Sequence, residues 1–281
     1  MQLETYIPKG FLKELVSSIV FLSGAGTGVA FQRMYQVIII NLGHHFTVSD
    51  IYTTHSKREH TDTIWINGKQ ENTLMIGNSG LTAMYVIGLK PGMLPYLANL
   101  PAITTNNLAV GAEHWTSSEI FNLREQLLAC RQVQSGFQLI EKYLTGLLIK
   151  KDLSNLEKVK WLSNAIHTAR VEDICLSLGV TRKKLRSETL HYFGGSVKSL
   201  QGIIRFNHTL AAIAKDSRQS LSVLHPYYDQ AHFINDFKAR AGITPLQFKR
   251  LCQAYPLIQQ TPNFLPLQQE TFLQFIAGRP E

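Results

Sequence analysis

The chain is poor in cysteine, in acidic residues and in long apolar runs. Its three cysteines, Cys130, Cys175 and Cys252, are odd in number and far apart. They offer neither a disulfide framework nor the paired spacing of a zinc site. A reducing cytoplasm is the compartment expected from that usage. The first residues lack the basic, apolar, small-residue order of a secretion signal. The longest fairly apolar stretch, Phe11 to Phe31, is broken by Lys13, Glu14 and a glycine cluster, so no membrane span is expected. His-Glu-x-x-His, a nucleophile elbow and a P-loop are all missing from the sequence. No catalytic residues, no metal site and no cofactor are therefore expected, and the chain is not read as an enzyme.

What is present is lopsided. Residues 1–149 carry ten Lys/Arg and ten Asp/Glu, whereas residues 150–281 carry eighteen and ten. The whole excess of the formal +8 charge therefore lies in the C-terminal half. Such a half suits a polyanionic partner.

The first 115 residues read as strand-rich. Ile19–Leu22 and Val37–Ile40 are short apolar runs of the kind buried on both faces. Ile64–Asn67 and Thr73–Ile76, with Gly68 between them, suggest a pair of strands joined by a turn. Leu81–Leu89 continues the pattern and stops at Lys90-Pro91-Gly92. Leu94–Leu100 suggests a helical turn over a sheet. Gly24-Ala-Gly-Thr-Gly28 lacks the Lys-Ser/Thr of a phosphate loop and reads as a hairpin loop. His44, His45, His55 and His60 have no carboxylate at a spacing that completes a metal site, and read as surface-loop residues.

From Ser117 the period changes to that of helices. Ile120, Leu123 and Leu127 mark one helix, opened by a Ser-Ser cap with Glu119 in its first turn. Phe137, Ile140, Tyr143, Leu144, Leu147 and Leu148 mark a second, with Gly136 dividing the two. Their apolar faces suit either the strands or a second copy of the chain across a two-fold axis. Leu153–His167 reads as a further helix with Trp161, Leu162 and Ile166 inward. Residues 171–186 then give a short helix ending at Gly179, a Thr181 cap, and a helix bearing Arg182, Lys183, Lys184 and Arg186. Helix, glycine turn and capped basic helix form the helix-turn-helix pattern. A long helix, Leu200–Ala214, follows.

Tyr227–Lys249 repeats the theme. Asp229 caps a helix whose Phe233 and Phe237 share one face. Gln230, His232, Asn235, Lys238 and Arg240 lie off that stripe. Gly242 suits a left-handed helix end, and Thr244 with Pro245 restarts the chain as another helix. The two units begin about 48 residues apart, with Thr181 answering Asp229 and Gly194 answering Gly242. Pro226 removes an N–H before the second recognition helix, which predicts a shortened or displaced helix over 219–225.

Tyr228, Asp229, His232, Phe233, Phe237, Lys238, Gly242, Thr244 and Pro245 fill slots of the signature of the AraC family of transcription regulators, which this stretch resembles. Pro226 stands where that family has glycine, Asn235 where it often has arginine, and Ser187 where it has arginine in the first unit. Val37–Gly43 and Ile87–Met93 resemble the N-terminal domain of one branch of the family. The resemblance implies an α+β chain. Its N-terminal domain, 1–115, would be β-rich and barrel- or cupin-like. Linker or dimerisation helices would span 116–150, and 151–255 would be an all-α DNA-binding domain of two helix-turn-helix units joined by a long helix. A tail, 256–281, would follow.

It further implies a bacterial activator or repressor whose recognition helices enter successive major grooves of double-stranded DNA, about 34 Å apart. Arginine pairs with guanine O6 and N7, and amides pair with adenine. Arg182, Lys183, Lys184 and Arg186 are thus the first unit's candidates, with Thr181 as cap. Gln230, His232 and Asn235 are base candidates of the second, and Lys198, Lys238 and Arg240 phosphate candidates. Backbone N–H groups at the helix starts after Ser196 and Thr244 are further phosphate sites. A small-molecule effector, RNA polymerase and a second copy of the chain are further candidate partners. The competing reading is a sensor or enzyme built on the N-terminal barrel, with the helices as accessory. RNA is disfavoured by the want of an exposed aromatic platform.

Overall fold

Apolar runs in the first half become strands of two antiparallel sheets. The computed structural model describes residues 2–25, 27–50, 58–60, 63–78, 80–115, 118–215, 230–255, 258, 262–265, 267 and 269–276. Strands β1 (Gln2–Tyr6), β2 (Val16–Ala25), β3 (Gly28–Ala30), β4 (Val37–Asn41), β5 (Phe46–Asp50), β6 (Arg58–His60), β7 (Ile64–Asn67), β8 (Leu74–Asn78), β9 (Leu81–Leu89) and β10 (Ala109–Gly111) come from this half. One two-residue strand, β11 (Phe264–Leu265), comes from the far end of the chain. The first sheet runs β1-β2-β9-β4-β7-β10 and the second β11-β3-β8-β5-β6.

Strand alternation divides β4 between two cores. Ile38 and Ile40 face the helices, while Val37 and Ile39 meet Phe46 of the other sheet. All four are buried, as the unbroken apolar run predicts. The Ile19–Leu22 run is less enclosed: Ile19 is buried, but Val20 to Leu22 are half-buried.

Two local expectations fail because sheet membership is a long-range property. β7 and β8 do not pair. β7 lies between β4 and β10 in the first sheet, and β8 between β3 and β5 in the second. The Gly24–Gly28 stretch likewise joins β2 of one sheet to β3 of the other, so it is a crossing between sheets rather than a hairpin loop. His44 and His45 are exposed. His55 lies outside the described residues, as does the side chain of His60.

Ten helices follow the strand run or interrupt it: α1 (Leu94–Ala98), α2 (Glu119–Leu128), α3 (Val133–Leu148), α4 (Leu156–Thr168), α5 (Val171–Leu178), α6 (Arg182–Phe193), α7 (Val197–Lys215), α8 (Gln230–Ala241), α9 (Pro245–Ala254) and α10 (Gln269–Ile276), counted among the described residues. α2 and α3 turn their apolar stripes, Ile120, Leu123 and Leu127, then Phe137, Ile140 and Leu144, onto the core of the first sheet. Gly136 does not divide them. It sits inside α3, where an added Cβ would lie 2.0 Å from the Tyr85 hydroxyl. The glycine lets the helix approach β9 closely, and Tyr85 Oη donates to the Val133 carbonyl at 3.1 Å. On α4, Leu162 and Ile166 are buried as expected, but Trp161 is 41% exposed. Leu156, Val159, Leu162 and Ile166 already fill the inward stripe of α4, which leaves Trp161 on its rim.

Each helix-turn-helix region shares a core with a different sheet. Ile174, Leu185, Phe193 and Val197 join the cluster that contains Ile19, Ile38, Ile64 and Ile87 of the first sheet. Phe233, Phe237, Phe248 and Leu251 join Val29, Phe31, Met75 and Leu265 of the second. Phe272 of α10 completes that second cluster. The C-terminal segment therefore folds back: β11 pairs with β3 through Phe264↔Ala30 and Leu265↔Val29.

Candidate nucleic-acid interface

Short-range chemistry shapes the first unit. Glu172 and Asp173 open α5, where carboxylates favour the positive end of the helix. Gly179 ends it at φ 62°, a left-handed conformation that glycine takes without steric cost. The Val180 N–H then reaches the Cys175 carbonyl at 3.0 Å. Thr181 caps α6, its hydroxyl accepting from the Lys184 N–H at 3.2 Å. Leu185, Thr189 and Phe193 form the buried face and Leu190 is half-buried. Arg182, Lys183, Lys184, Arg186, Ser187 and His191 are exposed.

The cations on that face are differently engaged. Arg182 Nη2 lies 2.6 Å from Glu172 Oε1, with both side chains mostly in water. Such a pair holds little free energy and exchanges readily for a phosphate. Lys184 leans toward Glu188 at 3.8 Å, but that carboxylate is held more closely by Lys158 at 2.7 Å. Lys183 and Arg186 form no ion pair among the described residues. Lys198 is exposed in the first turn of α7, where the Ser196 hydroxyl accepts from the Ser199 N–H at 3.3 Å.

The second unit is built to the same plan. Phe233, Phe237 and Ala241 are the buried face of α8, in the positions that Leu185, Thr189 and Phe193 hold on α6. Gly242 closes α8 at φ 76°, as Gly194 closes α6 at φ 73°. Thr244 and Gln247 form a reciprocal capping box that opens α9, with Pro245 in its first turn. Leu200 of α7 and Phe248 of α9 are the matching buried anchors, each fully enclosed. The repeat read from the sequence thus extends through four helices.

His232, Asn235 and Lys238 are exposed on α8 and project from the side opposite its phenylalanines. Gln230 begins the helix, and its side chain lies outside the described residues. Asp229 and the helix expected over 219–225 lie outside them too. Arg240 is placed differently. It stands on the flank next to Phe233, and its Nε meets both Asp236 oxygens at 3.0 and 3.1 Å. Its Nη1 donates to Gln32 Oε1 of the β half at 2.9 Å. In this arrangement its guanidinium is occupied inside the protein.

Sequence reading missed the partners of Arg240. Gln32, Lys69, Glu71, Thr73 and Asn106 are buried or half-buried polar residues of the β half that touch the helical units. A lysine between two apolar strands was the one local sign, and nothing in the sequence said that Lys69 is enclosed.

The architecture defines an α+β chain: antiparallel sheets first, then a helical half carrying a repeated capped-helix unit. No protein-family model and no curated protein matches the chain. Among solved structures it is similar to ToxT from Vibrio cholerae. One ToxT structure is 14% identical with a TM-score of 0.45 over 89% of this chain and 98% of that chain. An apo ToxT variant is 15% identical with a TM-score of 0.44 over 83% and 97%. The AraC-like transcriptional activator CuxR is 12% identical with a TM-score of 0.30 over 71% and 90%.

Proposed function

We propose that the chain is a sequence-specific, double-stranded DNA-binding transcription regulator of the AraC type, reading two successive major grooves with α6 and α8. The observation that carries this is the doubled unit. Both helices bury one face, end at a left-handed glycine and run into a second capped helix. The outward side of α6 is cationic and that of α8 carries His232, Asn235 and Lys238. Cations suit phosphate and guanine, and amides suit adenine. Thr181 and Thr244 present helix N-termini where backbone N–H groups favour phosphate oxygens.

Arg186 and Gln230 are the proposed base readers. Arg186→Ala and Gln230→Ala are each expected to weaken binding to the selected duplex about tenfold or more, and binding to random duplex far less. Titration of both duplexes at one salt concentration measures this. Equal losses on the two would remove the base-reading role.

A small-molecule effector, RNA polymerase and a second copy of the chain remain the proposed further partners. An open groove of about 460 Å³ is lined by Lys9, Phe11, Leu12, Glu141, Leu148 and Ile149. Glu141 is already engaged there: it accepts from the Tyr6 hydroxyl at 2.5 Å and from the Lys9 N–H at 2.7 Å. What the groove offers is therefore mainly apolar surface.

A further inference from the structure

The chain crosses between the two sheets along residues 31–36, from β3 to β4, and along residues 68–73, from β7 to β8. The two crossings are bonded to one another. Arg33 and Gln70 exchange N–H···O bonds, each 2.9 Å, and the Gln32 amide donates to the Glu71 carbonyl. Since each helix-turn-helix region shares its core with a different sheet, this junction also lies between the two recognition units.

Its polar groups reach both. Asn106 Nδ2 donates to the carbonyl of Gly194, the residue that ends α6, at 2.5 Å. The neighbouring Asn107 is tied to the crossing, its Oδ1 accepting from the Glu71 N–H at 2.7 Å and its N–H donating to the Lys69 carbonyl at 2.9 Å. The Lys69 ammonium is enclosed, lies 2.6 Å from Glu71 Oε1 and packs against Gly195. Ser199 Oγ of α7 donates to the same carboxylate oxygen at 3.3 Å. On the other side, Thr73 Oγ1 donates to the Arg240 carbonyl, near the end of α8, at 2.8 Å. Gln32 accepts from the Arg240 guanidinium. The β half thus bonds carbonyls at the C-terminal ends of both recognition helices, groups that a helix end leaves without an internal partner.

Burial opposes ionisation of Glu71. The Lys69 ammonium, with hydrogen bonds from Ser199 and Asn107, outweighs it and holds the carboxyl below the usual carboxylate range. Lys69 is enclosed while Glu71 is partly in water, so a displacement of Glu71 leaves the lysine desolvated without its counter-ion.

We propose that Gln32, Lys69 and Glu71 are positioning residues that fix the separation and angle of α6 and α8, and so select the spacing of the two DNA half-sites. This rests on the DNA-reading function proposed above. α7 links the units by giving Val197, Leu200 and Ile204 to the first core and Phe206, Leu210 and Ile213 to the second, and the paired crossings add a hold on both recognition helices at their C-terminal ends. A change in the angle between the sheets would be passed to the helix pair through the same bonds.

The test is binding of full-length protein to duplexes carrying both selected half-sites at the native spacing or with two base pairs inserted, and to a duplex with one half-site. The wild-type chain is expected to lose affinity at least about tenfold on insertion, since two base pairs rotate one half-site away from the shared face. With Gln32→Ala and Glu71→Gln combined, the penalty should shrink below about threefold, while single half-site binding stays within about twofold. A variant that folds and keeps the wild-type penalty overturns the positioning role. If the double variant loses cooperative melting, Glu71→Gln alone decides, its side chain being partly in water. Its penalty must then fall below that of the wild-type chain, and an unchanged penalty rejects the proposal. A wild-type chain that binds no duplex overturns the DNA-reading function itself.

Discussion

Phe31→Ala is expected to lower stability by about 3–5 kcal/mol, although the residue lies some 200 positions before α8, the helix it supports. Phe31 is fully buried and meets Phe206 edge-on at 6.3 Å and Phe248 at 5.7 Å. Those rings pack on Phe237, at 5.4 and 6.0 Å, and Phe237 packs on Phe233. Phe31 is thus one end of a continuous aromatic stack whose other end is the buried face of α8. The cavity left by alanine has little means of collapse. Its wall on one side is β3, pinned between β8 and β11, and the Phe31 N–H is itself held by the Asn263 carbonyl at 2.9 Å. Urea unfolding of the variant and the wild-type chain measures the loss. A change under about 1 kcal/mol would mean that the second unit does not depend on the β half for its core.

The second large effect concerns charge rather than packing. Replacing Arg182, Lys183 and Arg186 together by alanine is expected to lower duplex affinity by at least about a hundredfold. The slope of log K against log salt should flatten by about 0.9 for each phosphate contact removed. The fold should survive, because all three side chains are exposed and alanine is the best helix former. The Arg182–Glu172 pair lost with them joins two side chains largely in water, and such pairs add little to stability. Salt titrations with unchanged far-ultraviolet ellipticity check both points. An unchanged salt slope would show that this face of α6 does not meet the DNA backbone.

What the sequence made legible was what is decided within a few residues. The Thr181 cap, the glycine ends at 179, 194 and 242, and the Thr244-Pro245 start all depend on local backbone chemistry, and each stands where the sequence placed it. The inward stripes of α3, α5 and α8 were readable for the same reason, since a helix repeats its face every three to four residues. The misses are long-range. Residues 64–67 and 74–78 both look like strands, and they are, but nothing local says that they belong to different sheets. Leu265 gives no sign that it will enter the second sheet as part of a two-residue strand. Gly136 looks like a helix break until Tyr85 is brought beside it. Arg240 is the exception: seven residues on from Phe233, the helical repeat already sets it on the same side, and only its meeting with Gln32 is long-range. Lys69 and Glu71 are ordinary polar residues in sequence, and only the meeting of two sheets and two helical units encloses the lysine.

Packing also shapes which form of the protein suits experiment. Phe31, Val29, Met75 and Leu265 cover the second unit's core, so a fragment begun at residue 150 would leave Phe206 and Phe248 without Phe31. The full chain is the form in which α6 and α8 are held together.

Selection of binding sites from random duplexes by the full-length protein tests the central claim most directly. The expected product is a two-part site, its halves about 10 base pairs apart from centre to centre, as two helices in successive major grooves require. One part should weaken on loss of the α6 cations and the other on Gln230→Ala. Recovery of no preferred duplex, or of a single short block indifferent to changes in α8, would contradict the account.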